Sequence, residues 1–220
     1  MHSALRCIHG DLNPSNILLQ LDNKYVQTPR KRRHSWKPLT KEAARGLDDG
    51  NCTVKLGDFG LTVQLQHGRT HVSNVKQGTP FYTAPELAQQ NRLLCASDVY
   101  SFGVLMWECY HNTPPYDVEN EQYILNRDFG RFPSVAPLNY VLLAAACLSP
   151  APEDRPSFVG GQVVEVLAAI GLELASGFYT DMRGGTQVGH PHGVFTSDRL
   201  CLNMSFTTCV TMCAACHHAW

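Results

Sequence analysis

No apolar run in this 220-residue chain reaches the roughly 18 residues that a membrane-spanning helix requires. The longest candidate, 163–175, is interrupted by Glu165 and Glu173. A helical membrane anchor is therefore not expected within these residues. Nor is charge of one sign in excess. Lys and Arg total 18 against 19 Asp and Glu, a net charge of -1, which gives no global pull toward nucleic acid or an anionic membrane. The stretch Met1 to Arg6 has no charged start followed by an apolar segment, so no secretory signal is expected. The expected compartment is the cytoplasm or, given the basic run Arg30 to Arg33, the nucleus. Cysteine is not scarce, but its number, nine, is odd and several of the thiols sit in apolar runs. Free, partly buried thiols in a reducing compartment are expected, not a disulfide framework.

What is present fits a globular domain. Apolar residues make up 44% of the chain, and its length can close one sizeable core. Ile17-Leu18-Leu19 reads as a short strand and Thr53-Val54-Lys55-Leu56 as a second, and the two are expected to pair as a hairpin. Residues 20–52 lie between them. They are polar, with Pro29, Pro38, Gly46 and Gly50, and read as a disordered insertion projecting from the hairpin. Residues 61–83 read as a polar loop. Thr83-x-x-Glu86 matches a capping box, with Pro85 in the first turn. Ser97 is the predicted cap of a helix from Asp98 to about Tyr110, apolar on every face and hence buried. Short helices are predicted near 119–127 and over 138–147. A last helix is predicted from Phe158 to about Ala175, with Val163, Val166, Leu167, Ile170 and Leu174 on one stripe. From Ser176 to Trp220 the composition shifts to Gly, His and Cys without a period, and the tail is expected to be unstructured.

Five short motifs follow one another in order. They are His9-Gly10-Asp11-Leu12-Asn13-Pro14-Ser15-Asn16, Asp58-Phe59-Gly60, Ala84-Pro85-Glu86, Ser97-Asp98-Val99-Tyr100-Ser101-Phe102-Gly103 and Asp154-Arg155-Pro156. Each alone is weak, since an Asp-Phe-Gly triplet is most simply a turn after a strand. Together, over roughly residues 5 to 172, they resemble the second half of a protein kinase. The implied fold is α+β and mainly α: a kinase-like C-terminal lobe with a short β-hairpin and an inserted loop, spanning 1–175.

The resemblance implies ATP and Mg²⁺ as cofactors and proteins as substrates. By residue, it implies that Asp11 is the base accepting the acceptor hydroxyl's proton. Asn16 and Asp58 would hold Mg²⁺, and Leu18 would form part of the floor under the adenine. Thr79 would lie beside the acceptor hydroxyl, which favours Ser/Thr over Tyr. His9, Glu86, Asp98 and Arg155 would be structural, with Glu86 paired to Arg155 and Asp98 accepting hydrogen bonds from the backbone near His9.

Three departures accompany the match. No glycine-rich loop or Val-Ala-x-Lys precedes Asp11, and Gly184 to Gly189 does not fit G-x-G-x-x-G. An N-terminal nucleotide-gripping lobe is therefore expected to be missing from these residues. Gly10 stands where such proteins carry an arginine that reads phosphate on the neighbouring loop. Asn13 stands where they carry a lysine. A catalytically inactive pseudokinase or a protein-interaction module remains the alternative.

Two further features stay outside this reading. The run Arg30-Lys31-Arg32-Arg33 can be a nuclear-import or nucleic-acid patch, but a solvated loop is favoured, so nucleic acid is not an expected partner. Cys209, Cys213, Cys216, His217 and His218 have zinc-like spacing, and Cys213-x-x-Cys216-His217 has the form of a haem attachment site. An unstructured extension is favoured over both.

Overall fold

A computed structural model describes residues 6–21, 24–27 and 52–188. The run Arg30–Arg33 and the Cys/His cluster of the tail lie outside the described residues. Within them the chain is mixed α and β, with small antiparallel sheets arranged around helices. No described helix is long and apolar enough to cross a membrane.

The first strand, β1 (Cys7–Ile8), leads into the motif around Asp11. Strand β2 (Ile17–Leu21) follows, then β3 (Lys24–Gln27) and β4 (Cys52–Leu56). β2 and β4 pair antiparallel from Ile17–Leu56 to Leu21–Cys52, which is the expected hairpin. The expected disordered insertion needs correcting at both ends. β2 runs on to Leu21, and β3 adds to the free edge of β2 with Leu21 opposite Lys24. Tyr25 and Val26 are good strand formers, and the unpaired backbone edge of β2 gives them a partner.

The stretch 61–83 is likewise not one loop. β5 (Val63–Gln64) pairs with β1, and β6 (His71–Ser73) pairs with a later strand, β7 (Arg92–Leu94). Ile8, Leu65, Leu87 and Leu93 form a small apolar cluster of their own beneath these pairs. Helix α1 (Pro85–Gln90) opens on Pro85, whose missing N–H costs nothing in a first turn. Its cap position is Ala84, with no side-chain bond, so the capping box is not formed. Thr83 instead donates its hydroxyl to the Thr79 carbonyl at 2.9 Å.

Helix α2 (Cys95–His111) is the centre of the main core. Val99, Phe102, Val104, Leu105, Met106 and Trp107 are all buried, on every side of the helix. Gly103 lets α3 (Leu138–Cys147) approach closely: a Cβ there would come within 2.8 Å of the Cys147 Cβ. Burial pushes the Cys147 thiol up to about 12, so it is packing material and not a nucleophile. Ser97 is not the helix cap; it sits in the first turn and accepts the Leu94 N–H at 3.0 Å.

The helix expected near 119–127 is a hairpin, β8 (Tyr116–Glu119) and β9 (Gln122–Leu125). Asn120 and Glu121 both take positive φ, 49° and 64°, the two-residue turn that matches strand twist. The last helix, α4 (Gln162–Ala175), begins four residues later than expected. Gly160 and Gly161, at φ 81° and 82°, break the chain before it, and the Phe158 ring packs edge-on against Phe102. Val163, Leu167, Ile170 and Leu174 form its buried stripe, whereas Val166 is exposed.

Residues 178–188, expected to belong to an unstructured tail, also depart from expectation. β10 (Phe178–Thr180) and β11 (Thr186–Val188) form a further antiparallel hairpin. Tyr179 belongs to the main core, and Asp181 is fully buried, accepting the N–H groups of Arg183 and Gly185 at 2.9 Å each.

Candidate functional site

The site is built on the turn between β1 and β2. Asn13 begins it: its Oδ1 accepts the Ser15 N–H at 2.9 Å, the local bond that makes Asn-Pro a turn initiator. A single 3₁₀ turn, Pro14–Asn16, then carries the chain into β2. Leu12 and Ile17, on either side, are anchored in the main core. The polar residues between them are thus held from below by apolar packing.

Asp98, buried at the start of α2, fixes the other end of the turn. One of its carboxylate oxygens accepts the His9 N–H at 2.8 Å and the other the Gly10 N–H at 2.9 Å. A helix N-terminus favours that carboxylate. His9 is fully buried. Its Nδ1 accepts the Asp11 N–H at 3.3 Å, which leaves Nε2 to donate to the Gly57 carbonyl at 3.0 Å. Its ring meets Phe59 edge-on at 5.5 Å. The Gly57 N–H bonds the Asn16 carbonyl at 2.8 Å, so the end of β4 is tied to the turn by two separate bonds. Leu18 packs against the same glycine, where a Cβ would lie 2.9 Å from Leu18 Cδ1.

These ties carry Asp58. Its backbone is left-handed, φ 58° and ψ 72°, and its carboxylate is solvent-exposed, with Oδ1 accepting the Gly60 N–H at 3.3 Å. A non-glycine residue held in that region is a mark of a constrained position.

Asp11 is the hub. Asn16 donates from Nδ2 to the Asp11 carbonyl at 2.8 Å and to Asp11 Oδ2 at 3.2 Å. Thr79 donates its hydroxyl to Asp11 Oδ1 at 2.6 Å, a short charge-assisted bond. Asn13 donates from Nδ2 to Thr79 Oγ1 at 3.0 Å and to the Asp11 carbonyl at 3.1 Å. Two hard oxygen donors, the Asn16 amide and the Asp58 carboxylate, are therefore tied to the same turn. That donor chemistry suits Mg²⁺. Asn13, and Gln77, whose Nε2 donates to the Leu61 carbonyl at 2.8 Å, are absent from the set that the motifs nominate. Asn13 was legible only as a departure from the lysine pattern, and no motif reaches Gln77.

Beneath the site, Arg155 and Glu86 form a buried fork. The guanidinium donates to both Glu86 oxygens at 2.8 Å, and to the carbonyls of Ala96, Ser149 and Pro150. Ser97 donates to Glu86 Oε1 at 2.7 Å. Burial works against the charge on Glu86, and the hydrogen bonds from Arg155 and Ser97 overcome it, so its pKa is lowered. Nearby, Tyr82 donates to buried Glu108 at 2.6 Å, and burial with that carboxylate raises the phenol far above its usual range. A cleft of about 650 Å³ opens between α1 and Pro150–Glu153, away from Asp11.

A family model described as protein tyrosine and serine/threonine kinase matches residues 2–166. Three curated relatives give the scale of the likeness. The probable serine/threonine-protein kinase drkB of Dictyostelium discoideum is 36% identical over 132 residues, 56% of this chain and 18% of that protein. A leaf rust 10 disease-resistance locus receptor-like protein kinase of Arabidopsis thaliana is 33% identical over 177 residues, covering 67% of this chain and 26% of that one. The G2-specific protein kinase nimA of Emericella nidulans is 29% identical over 158 residues, 70% and 18%. The aligned stretch thus spans between 18% and 26% of these three relatives' lengths.

Proposed function

The chain belongs to the protein tyrosine and serine/threonine kinase family, and on that premise we propose that it provides the acceptor side of a phosphoryl transfer from ATP to Ser or Thr of proteins. One observation carries the reading: an alcohol already donates to Asp11 Oδ1 at 2.6 Å, beside two hard-oxygen donors. An acceptor hydroxyl presented to Asp11 would meet the same carboxylate. Its oxygen bonds the terminal phosphorus, the bond from that phosphorus to the bridging oxygen breaks, the proton passes to Asp11, and ADP leaves. Asn16 and Asp58 would hold Mg²⁺, which neutralises phosphate charge when bound. Asp98 and His9 keep the turn rigid, so Asp11 needs little reorganisation. Leu18 would lie under the adenine. We place these residues in a kinase C-terminal lobe, and we propose that a nucleotide-gripping lobe outside these 220 residues completes the site.

The Ser/Thr preference rests on Thr79. Its hydroxyl bridges Asn13 and Asp11 and keeps the 79–83 segment close to the base. The test compares Ser, Thr and Tyr peptides with the full-length protein and with Thr79→Val. Transfer to Ser and Thr, falling about tenfold or more in the variant, is the expected result for the loss of about 1.4 kcal/mol of transition-state positioning. Equal transfer to Tyr peptides, or no change on removing the hydroxyl, overturns it.

A second reading, a non-catalytic interaction module, draws on a different observation. Both Asp11 carboxylate oxygens already have partners within the chain, and an uncharged Asn13 occupies the lysine position. Mg²⁺-dependent ATP binding without any turnover marks that case.

A further inference from the structure

Where the segment 77–79 meets the turn at Asp11, the chain has two glycines face to face. Gly10 has φ +77° and Gly78 φ +101°. A Cβ on Gly78 would lie 3.4 Å from the Gly10 carbonyl oxygen and 2.9 Å from Thr83 Oγ1. A Cβ on Gly10 would collide with Gln77 Nε2 and come within 3.2 Å of the Leu61 carbonyl oxygen. The space over Gly10 is thus filled by the Gln77 amide, which donates from Nε2 to Leu61 O at 2.8 Å.

That bond joins two segments that nothing in the motif series connects. Leu61 closes the 3₁₀ turn Phe59–Leu61 that immediately follows Asp58. Gln77 stands two residues before Thr79, whose hydroxyl bonds Asp11. The rest of the intervening stretch is held by the β1–β5 and β6–β7 pairs and by the Val75 N–H to the Asn91 carbonyl at 3.1 Å. Its two ends, however, meet across Gly10 through Gln77.

We propose that Gln77 is a positioning residue: its amide, seated on side-chain-free Gly10, locks the segment after Asp58 to the segment before Thr79 and so sets both against Asp11. The effect on transfer rests on the kinase reading above; the brace itself does not. Its essential feature is an N–H donor at the reach of residue 77. Gln77→Ala removes the side chain. Gln77→Glu keeps the length but has no donor at neutral pH. Gln77→Lys keeps a donor. Gly10→Ala evicts the amide from the other side.

The test is amide hydrogen exchange on the full chain, followed in peptides covering 57–66 and 76–84, with α2 as the folding control. Gln77→Ala, Gln77→Glu and Gly10→Ala are expected to speed exchange in both peptides at least threefold with α2 unchanged, and Gln77→Lys to restore much of the protection. In the transfer assay kcat then falls for the first two at unchanged KM for ATP, and recovers with Lys. Exchange within twofold of wild type in Gln77→Ala and Gln77→Glu overturns the brace. If wild type transfers no phosphate, the kinase reading fails, and the exchange result still decides the brace.

Discussion

At the scale of single residues, the buried fork of Arg155 on Glu86 is the place where one substitution does most damage to the fold. Arg155 is tied to Glu86 and to three carbonyls, so Arg155→Ala strands a buried carboxylate and several acceptors at once. A loss of about 3–5 kcal/mol is expected, read from chemical denaturation. The same pair sets an acid limit. Because the folded-state pKa of Glu86 is depressed, its contribution is complete above the unfolded value of about 4.3 and is lost as pH falls through the folded value. Stability should therefore decline below about pH 4 more steeply in wild type than in Glu86→Gln, and parallel curves would contradict this. Asn13 belongs at this scale too. The sequence showed a missing lysine there. The structure shows what the amide does in its place: it bridges Thr79 and the Asp11 carbonyl without charge.

At the scale of elements, the hairpin after α4 carries the next expectation. Tyr179 enters the main core and Asp181 organises the turn, so residues 178–188 are part of the packed unit. Tyr179→Ala should cost about 3 kcal/mol, the low end for removing an aromatic side chain from a core, measured as a shift in the denaturation midpoint. A change under about 0.5 kcal/mol, the surface value, would show the hairpin to be an ornament. Elements were legible in proportion to how local their cause is. α3 matches the helix expected over 138–147, a ten-residue stretch rich in the good helix formers Leu and Ala. The β2–β4 pair was legible from two apolar runs. Hairpin β8–β9 was not, because Glu119 to Arg127 contains good helix formers and the decisive signal was the left-handed pair Asn120-Glu121. β5 and β6 are short, and their partners are distant in sequence, so no local pattern announces them; β10 and β11 are neighbours but only three residues each, too short for a period to show. The site was readable only through the motif series. No spacing rule says that Asp98 reaches His9 and Gly10 across nearly ninety residues.

At the scale of the whole molecule, one helical core supports a polar turn, and the turn gathers groups from four separate parts of the chain. Asp58 is tied in through Gly57 and His9, and its carboxylate is exposed. Asp58→Ala should therefore leave the thermal midpoint nearly unchanged while weakening Mg²⁺-dependent nucleotide binding by at least tenfold, a difference of about 1.4 kcal/mol or more. Titration of the full-length protein with ATP, with and without Mg²⁺, reads both. Unchanged affinity would remove Asp58 from the metal site. The central claim is that Asp11 is the base of a phosphoryl transfer. The most direct measurement is the rate of γ-phosphate transfer to a Ser/Thr peptide by the full-length protein and by Asp11→Asn at matched folding. The account predicts a fall of about 10²–10⁴-fold in kcat with ATP binding retained. Wild-type-like transfer by Asp11→Asn would contradict it.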